Sequence, residues 1–276
     1  MVHDAVKSFR LIAIITIAVA QIGATVGVNA QQSSPPTPVV SVAGTTLRVQ
    51  RPDGVILEGA KLVGAVLIAT YADQTVRARI ASVAPDDRDP SGEVTLYDFR
   101  VIAADGSETS LCSPDPDGRQ LGFPLAIESR PDGIRNSGDP SRFELVCTSG
   151  AEGKCVRFGY APWRKVPDGR PMLDWYNACV RMVRADYCGD GRAFTRNGTL
   201  IDIYDRINVQ RPETNTSLKF EAAWASDGAV CVAHTRIPEL IDLDGLERTC
   251  PKLKGHLGPM VCSDDTAGAL LLNRSR

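Results

Sequence analysis

The stretch MLDWYNACVRMVRADYCGDGRAFTRNGTLIDIYD, Met172 to Asp205, decides how the chain is read. At 3.6 residues per turn, Trp175, Tyr176, Cys179, Val180, Met182, Val183 and Tyr187 share one broad apolar face of a helix over Met172 to Tyr187. Asp174, Asn177, Arg181 and Arg184 form the opposite stripe. Asp174 caps the first turn and Gly189 supplies the stop. Asp186 breaks the pattern. It falls on the apolar side near Trp175, Cys179 and Met182, in a last turn where the helix dipole disfavours negative charge. A carboxylate placed there needs an arginine, converging backbone N–H groups or a metal. Arg184, Arg192 and Arg196 are close in sequence and can fold back over the Gly189-Asp190-Gly191 turn, which also offers backbone donors. The expectation is a structural pair, with a ligand-binding or catalytic role as its alternative. Phe194 to Tyr204 then reads as a hairpin of two short strands around Asn197-Gly198.

Working outward, the cysteines set the covalent frame. All eight (Cys112, Cys147, Cys155, Cys179, Cys188, Cys231, Cys250 and Cys262) lie in the later part of the chain. An even count without any Cys-x-x-Cys reads as disulfides rather than zinc or redox chemistry. The connectivity stays open. Cys147 with Cys155 is a local candidate across the turn Thr148 to Lys154, and Cys188 is expected to pin the helix end to a distant strand.

The N-terminus has the form of a secretory signal over residues 1–30, with Lys7 and Arg10, an apolar run from Leu11 to Ala20, and small residues at Val28-Asn29-Ala30 before Gln31. A retained anchor is the alternative, since few polar residues interrupt Leu11 to Val28. Residues 31–38 (QQSSPPTP) make a polar linker. Residues 39–111 alternate as strands at Thr46 to Val49, Lys61 to Tyr71, Thr75 to Val83 and Val94 to Val101, separated by turns such as Pro52-Asp53-Gly54 and Ala104-Asp105-Gly106. Residues 112–262 form the Cys-rich domain and residues 263–276 a tail that either docks or frays. Within them Phe143 to Val146, Cys155 to Tyr160, Lys219 to Trp224 and Ala229 to Thr235 read as strands, and Glu239 to Leu246 as a short helix. The fold class is α+β, predominantly β: an N-terminal antiparallel β scaffold followed by a disulfide-stabilised β-rich domain with one central helix.

Arg184-Ala185-Asp186-Tyr187-Cys188 followed by Gly189-Asp190-Gly191 resembles the signature of the ADYC-domain family of bacterial exported proteins. Lys154 to Arg157 with Gly159-Tyr160 and Pro162-Trp163, then Ala178-Cys179 with Arg181-Met182, are similar to the same family. So are Thr195-Arg196, Gly198-Thr199, Ile201-Asp202, Phe220 to Ala222 with Trp224, Gly228 to Cys231, and Cys250-Pro251. The resemblance covers roughly Leu111 to Pro251. Where the family leads us to expect His before Ala-Cys, this chain has Asn177, which weakens any catalytic role at that point. The resemblance implies a domain and an exported protein, and carries no reaction.

The chain of 276 residues has 31 Lys and Arg against 33 Asp and Glu, yet the part from Lys154 to Arg196 is basic. Its arginines are interleaved with Tyr160, Trp163, Trp175 and Tyr176, which suits an anionic or sugar-like ligand. The alternative is a solvated basic face with Asp186 and Asp190 neutralised internally. Candidate ligand-binding residues are Trp163, Tyr160, Arg181, Arg184, Asp186, Asp190 and Arg192. No Gly-x-Ser-x-Gly, His-Glu-x-x-His, P-loop or dinucleotide fingerprint occurs. Carboxylates among Asp186, Asp190, Asp202 and Asp205 would suit glycan hydrolysis, and oxygens of Asp190, Asn197, Asp202 and Asp205 would suit calcium without matching an EF-hand. The favoured reading is an exported, disulfide-stabilised binding or structural module, secreted or periplasmic, with no cofactor, no metal, no nucleic acid and no membrane span once the signal is removed. Its partner is unknown, with an anionic or carbohydrate envelope ligand as the candidate. The runner-up is a carboxylate-dependent hydrolase of a cell-envelope or extracellular polymer.

Overall fold

Alternating apolar residues after Val39 become strands because each strand buries every second side chain. The computed structural model describes residues 9–12, 37–71, 74–89, 91–214 and 217–276. In chain order the strands are β1 (Phe9–Ile12), β2 (Val39–Ala43), β3 (Thr46–Gln50), β4 (Ile56–Glu58), β5 (Val66–Tyr71), β6 (Gln74–Pro85), β7 (Thr95–Ile102), β8 (Glu108–Ser110), β9 (Gly122–Leu125), β10 (Ile127–Arg130), β11 (Gly133–Asn136), β12 (Arg142–Cys147), β13 (Asp202–Asp205), β14 (Lys219–Ala225), β15 (Gly228–Val232) and β16 (Leu271–Ser275). The helices are α1 (Ala151–Arg157), α2 (Leu173–Arg184) and α3 (Leu243–Thr249). The fold is α+β and predominantly β, as the sequence predicts. Most of the expected signal and linker, residues 1–8 and 13–36, lies outside the described residues.

The largest sheet closes on itself. Its order is β6-β5-β1-β12-β9-β7-β8, and β7 also pairs with β6, so six strands make a ring with β8 as an outer neighbour. The 12-residue β6 pairs along one edge with β5 and along the other with β7, and its register against β7 shifts between Ile80 and Ser82, a bulge that bends the strand. Alternate positions feed one core: Leu67 and Ala69, Tyr97 and Phe99, Phe123 and Leu125, Phe143 and Leu145 are all buried. The ring joins strands from both sides of residue 111. A meander of β2, β3 and β4 lies against it, with the Leu47 N–H donating to the Tyr97 hydroxyl at 2.9 Å. The second half builds an antiparallel sheet in the order β13-β16-β14-β15. The tail therefore docks, as a strand between β13 and β14.

Helix α2 sits among these sheets and is buried on more sides than the wheel predicts. Asn177 and Arg181, expected on a polar stripe, are buried beneath the β10–β11 hairpin. The Asn177 amide accepts from the Ile134 N–H at 2.8 Å and donates to the Ile134 carbonyl at 2.8 Å. Asp174 forms no cap. Three further expectations are corrected. Cys155 to Tyr160 forms no strand: Cys155 to Arg157 end helix α1, and Phe158 and Gly159 follow it as a turn. Asn197-Gly198 does turn, but Phe194 to Ile201 forms no hairpin, and β13 pairs with β16 instead. The helix expected at Glu239 to Leu246 begins at Leu243, where Asp242 accepts from the Gly245 N–H at 2.7 Å as an N-cap.

All eight cysteines are paired: Cys112–Cys147, Cys155–Cys179, Cys188–Cys250 and Cys231–Cys262. The local Cys147–Cys155 pair is thus excluded, because α1 turns Cys155 onto Cys179 of α2 while Cys147, at the end of β12, reaches Cys112. Four disulfides point to an oxidising compartment. No helix among the described residues is long and apolar enough to cross a membrane.

Alkylation of the unreduced, denatured protein is expected to label no cysteine, and digestion should release the four linked peptide pairs named above. A peptide joining Cys147 to Cys155 would overturn this pairing.

Candidate functional site

The residues after α2 form a tight corner, and each of the four side chains from Ala185 to Cys188 has a structural assignment. Ala185 ends the helix in the left-handed region at φ 51°. Its N–H bonds the Met182 carbonyl at 3.0 Å, and the Asp186 N–H bonds the Arg181 carbonyl at 2.9 Å, the pattern of a Schellman end. The stop therefore comes four residues before Gly189, and Asp186 leaves the helical wheel altogether.

Asp186 is fully buried. Its Oδ2 accepts from the Arg181 guanidinium at 2.5 Å and the Gly191 N–H at 2.9 Å, while its Oδ1 accepts from the Asp190 N–H at 3.1 Å. Both kinds of donor anticipated from the sequence are present, but the arginine is Arg181. Arg184 instead donates to the Gly191 carbonyl at 2.5 Å, Arg192 pairs with Asp190 at 2.7 Å, and Arg196 is exposed.

Tyr187 is fully buried, its ring stacked on Trp224 at 5.3 Å between centroids. Its hydroxyl donates to Glu221 Oε1 at 3.0 Å and accepts from the Arg236 N–H at 2.8 Å. Burial raises this phenol well above its ordinary range, and the Glu221 carboxylate pushes the same way. It stays protonated and keeps its donor. Glu221 also holds Arg236 through two bonds of 3.0 Å, and accepts from the Asn273 amide at 2.7 Å. Arg236 donates onward to the last carbonyls of α2, Met182 at 2.8 Å and Val183 at 3.0 Å. The sequence reading missed this pair. Its signal was Glu221, an acid inside the apolar alternation of Phe220 to Trp224.

Cys188 completes the corner by bonding Cys250. Gly189 follows at φ +72°, packed so closely on the turn between β14 and β15 that a Cβ there would collide with the Asp227 carbonyl. Only glycine meets both conditions.

The remaining candidates are dispersed. Tyr160 is fully buried and donates to Asp205 Oδ2 at 2.7 Å. Asp205 also accepts from the N–H groups of Ile207, Val209 and Gln210. Asp202 accepts from the Glu213 N–H and from Arg274. The basic excess is largely matched as well: Arg157 with Asp86, Arg164 with Glu93, Arg170 with Asp168. Arg181 and Arg184 line a small cavity of about 180 Å³ with Arg130 and Asn177. Among the described residues, no group of His, Cys, Asp and Glu is arranged to hold a metal ion.

Trp163 stands apart, at the edge of a cleft of about 320 Å³ bounded by Leu125, Ile127, Asn136, Ser137, Pro140 and Pro162. It is 36 % exposed, whereas Trp175 and Trp224 are buried. The ring is held in place. Gly44, at φ +59° in the β2–β3 turn, lets the indole lie so near that a Cβ would meet it at 3.3 Å. The Arg164 guanidinium holds the Glu93 carboxyl below its ordinary range, and a hydrogen bond from the Trp163 side chain adds to this. The Asn136 side chain at the cleft is exposed, with no hydrogen bond to the described residues. A larger cleft of about 510 Å³ lies by Lys219, Phe220, His234 and Arg276. Neither the Lys219 ammonium nor the Arg276 guanidinium is fixed by a partner among the described residues.

These features define a disulfide-stapled, β-rich protein whose signature motif is a closed structural joint. A family model described as the ADYC domain matches residues 59–238, and the chain belongs to that family. The match starts well before Leu111, taking in most of the ring, and ends before the Cys250-Pro251 pair. Neither the curated proteins nor the solved structures show a significant match to the chain.

Asp186→Ala should destabilise the protein by about 3–5 kcal/mol, because it strands a buried guanidinium. Asp186→Asn should recover part of that loss through its acceptor oxygen. Tyr187→Phe should cost about 1–3 kcal/mol by leaving Glu221 and the Arg236 N–H short of a partner. Denaturant melts with disulfides intact measure all three, and wild-type midpoints throughout would remove the corner's structural role.

Proposed function

We propose that the protein is an exported binding module that takes a sugar-like ligand in the Trp163 cleft. The observation that carries this reading is a held, partly exposed indole beside an amide, Asn136, that has spare hydrogen-bonding capacity. A flat aromatic face stacks on the apolar face of a sugar ring, and one or two polar groups fix its hydroxyls. Of the two ligand chemistries suggested by the sequence, the sugar-like one is favoured, since most arginines near the module already pair with acids. The carboxylates on which a hydrolase would depend are likewise engaged by internal donors, which supports a binding role over the hydrolytic alternative. Export rests on the N-terminal sequence together with the four disulfides.

Two measurements test it. N-terminal sequencing of exported protein should read from Gln31; recovery of a membrane-held chain bearing Met1 would favour the retained anchor. Because only Trp163 is accessible among the three tryptophans, oligosaccharides bound in its cleft should shield the protein's fluorescence from iodide. Titration with chito-, cello- and alginate oligosaccharides should give saturable protection. Trp163→Ala should weaken binding by about tenfold or more, roughly 1.4 kcal/mol, while Trp163→Phe retains part of it and both variants melt normally. Unchanged affinity in Trp163→Ala would place the ligand elsewhere.

A further inference from the structure

The ring of strands is completed by a segment that export would remove. β1 lies between β5 and β12, antiparallel to both. Its residues Phe9 to Ile12 stand in register with Leu145, Glu144, Phe143 and Arg142. Those same residues fall at the start of the signal read from the sequence, upstream of the cleavage point before Gln31. A chain cut there keeps β5 and β12 and loses the strand that joins them.

The gap does not close by simple pairing. Two strands flanking a missing one are two sheet steps apart, about 9.5 Å, beyond the reach of an N–H···O=C bond of roughly 2.9 Å. β5 and β12 also run parallel to each other, whereas every ladder in the ring is antiparallel. Direct closure would need the only parallel pair in the sheet and a smaller ring around Leu67, Phe143 and Leu145, which already fill the core. The open edges would leave backbone donors and acceptors without strand partners beside that core.

We propose that the slot between β5 and β12 is a strand-acceptor site. In the cut chain it takes an extended segment of another exported polypeptide, antiparallel to β12, in the place held here by Phe9–Ile12. Main-chain hydrogen bonds supply the binding, and the alternating positions select the sequence. The register specifies the occupant: large apolar residues opposite Phe143 and Leu145, and a basic residue opposite the buried carboxylate of Glu144. The proposal rests on the export reading above, and the test separates the two.

Exported protein is purified and its N-terminus sequenced before amide hydrogen exchange is followed at residues 66–71 and 142–147. With Gln31 as first residue, the alternate amides of these segments that point into the slot, rather than to β6 or β9, should exchange at least tenfold faster than those of the β6–β7 ladder. A synthetic peptide of residues 7–14 should slow them at least tenfold. The same peptide carrying Leu11→Pro, which removes a backbone donor, should not protect them, and one carrying Arg10→Glu should bind about tenfold more weakly. A chain starting at Gln31 whose slot amides are already slow, or which scrambled peptide protects equally, overturns the strand-acceptor site and leaves the cleavage reading intact. A chain that retains Met1 with slow slot amides overturns both, since its own N-terminus fills the slot.

Discussion

The buried pair of Glu221 and Arg236 is the contact on which the second half of the molecule depends. Taking two charges out of water is costly, and their attraction offsets that cost only when the remaining donors and acceptors are also met. Here they are. Tyr187 and Asn273 complete the carboxylate, and the last carbonyls of α2 complete the guanidinium. The pair therefore joins the end of α2, the inner strands β14 and β16, and the segment following β15. It also sets a cation against the negative end of the helix dipole, which favours the arrangement further.

Asp186 repeats the principle a few residues away with a different partner set. One oxygen takes an arginine and a turn N–H, the other a second turn N–H, so the Gly189–Gly191 turn wraps the carboxylate as it packs onto the β14–β15 turn. The motif that names the family is in this sense a joint. Ala185 reverses the chain, Asp186 gathers the turn, Tyr187 reaches the Glu221 network and Cys188 adds a covalent tie. Several unrelated requirements meet in these four consecutive residues.

Much of this was visible in the sequence where the requirement was local. Alternation marked the strands after Val39, Ala104-Asp105-Gly106 marked the β7–β8 turn, and an acid among apolar residues marked Asp186 as needing partners. What remained hidden was set at long range. Nothing in Arg184-Ala185 signals a left-handed stop, since alanine has no preference for it; with the stop in place, Asp186 leaves the apolar face and Arg181 folds over it. Cys155 to Tyr160 has strand-like residues, yet packing against α2 selects a helix up to Arg157 and a turn beyond it. The flanks of Asn197-Gly198 suit strands, but β13 finds a better partner in the C-terminal strand. The Trp163 cleft joins residues from three distant segments, so of its lining only the tryptophan itself could be singled out in advance.

The order of the disulfides has a consequence for how the chain matures. Numbered along the sequence, the cysteines pair first with second, third with fourth, fifth with seventh and sixth with eighth. An oxidase that joins thiols in order of arrival makes the first two bonds correctly. It then faces Cys231 before Cys250, and Cys188 taken with Cys231 would cross-link the corner to β15 instead of to the end of α3. The C-terminal half thus matures either by reshuffling of a mispaired intermediate or by docking β14, β15 and β16 before oxidation begins. The first route makes the protein a client of a disulfide isomerase; the second makes oxidation wait on the last strand of the chain.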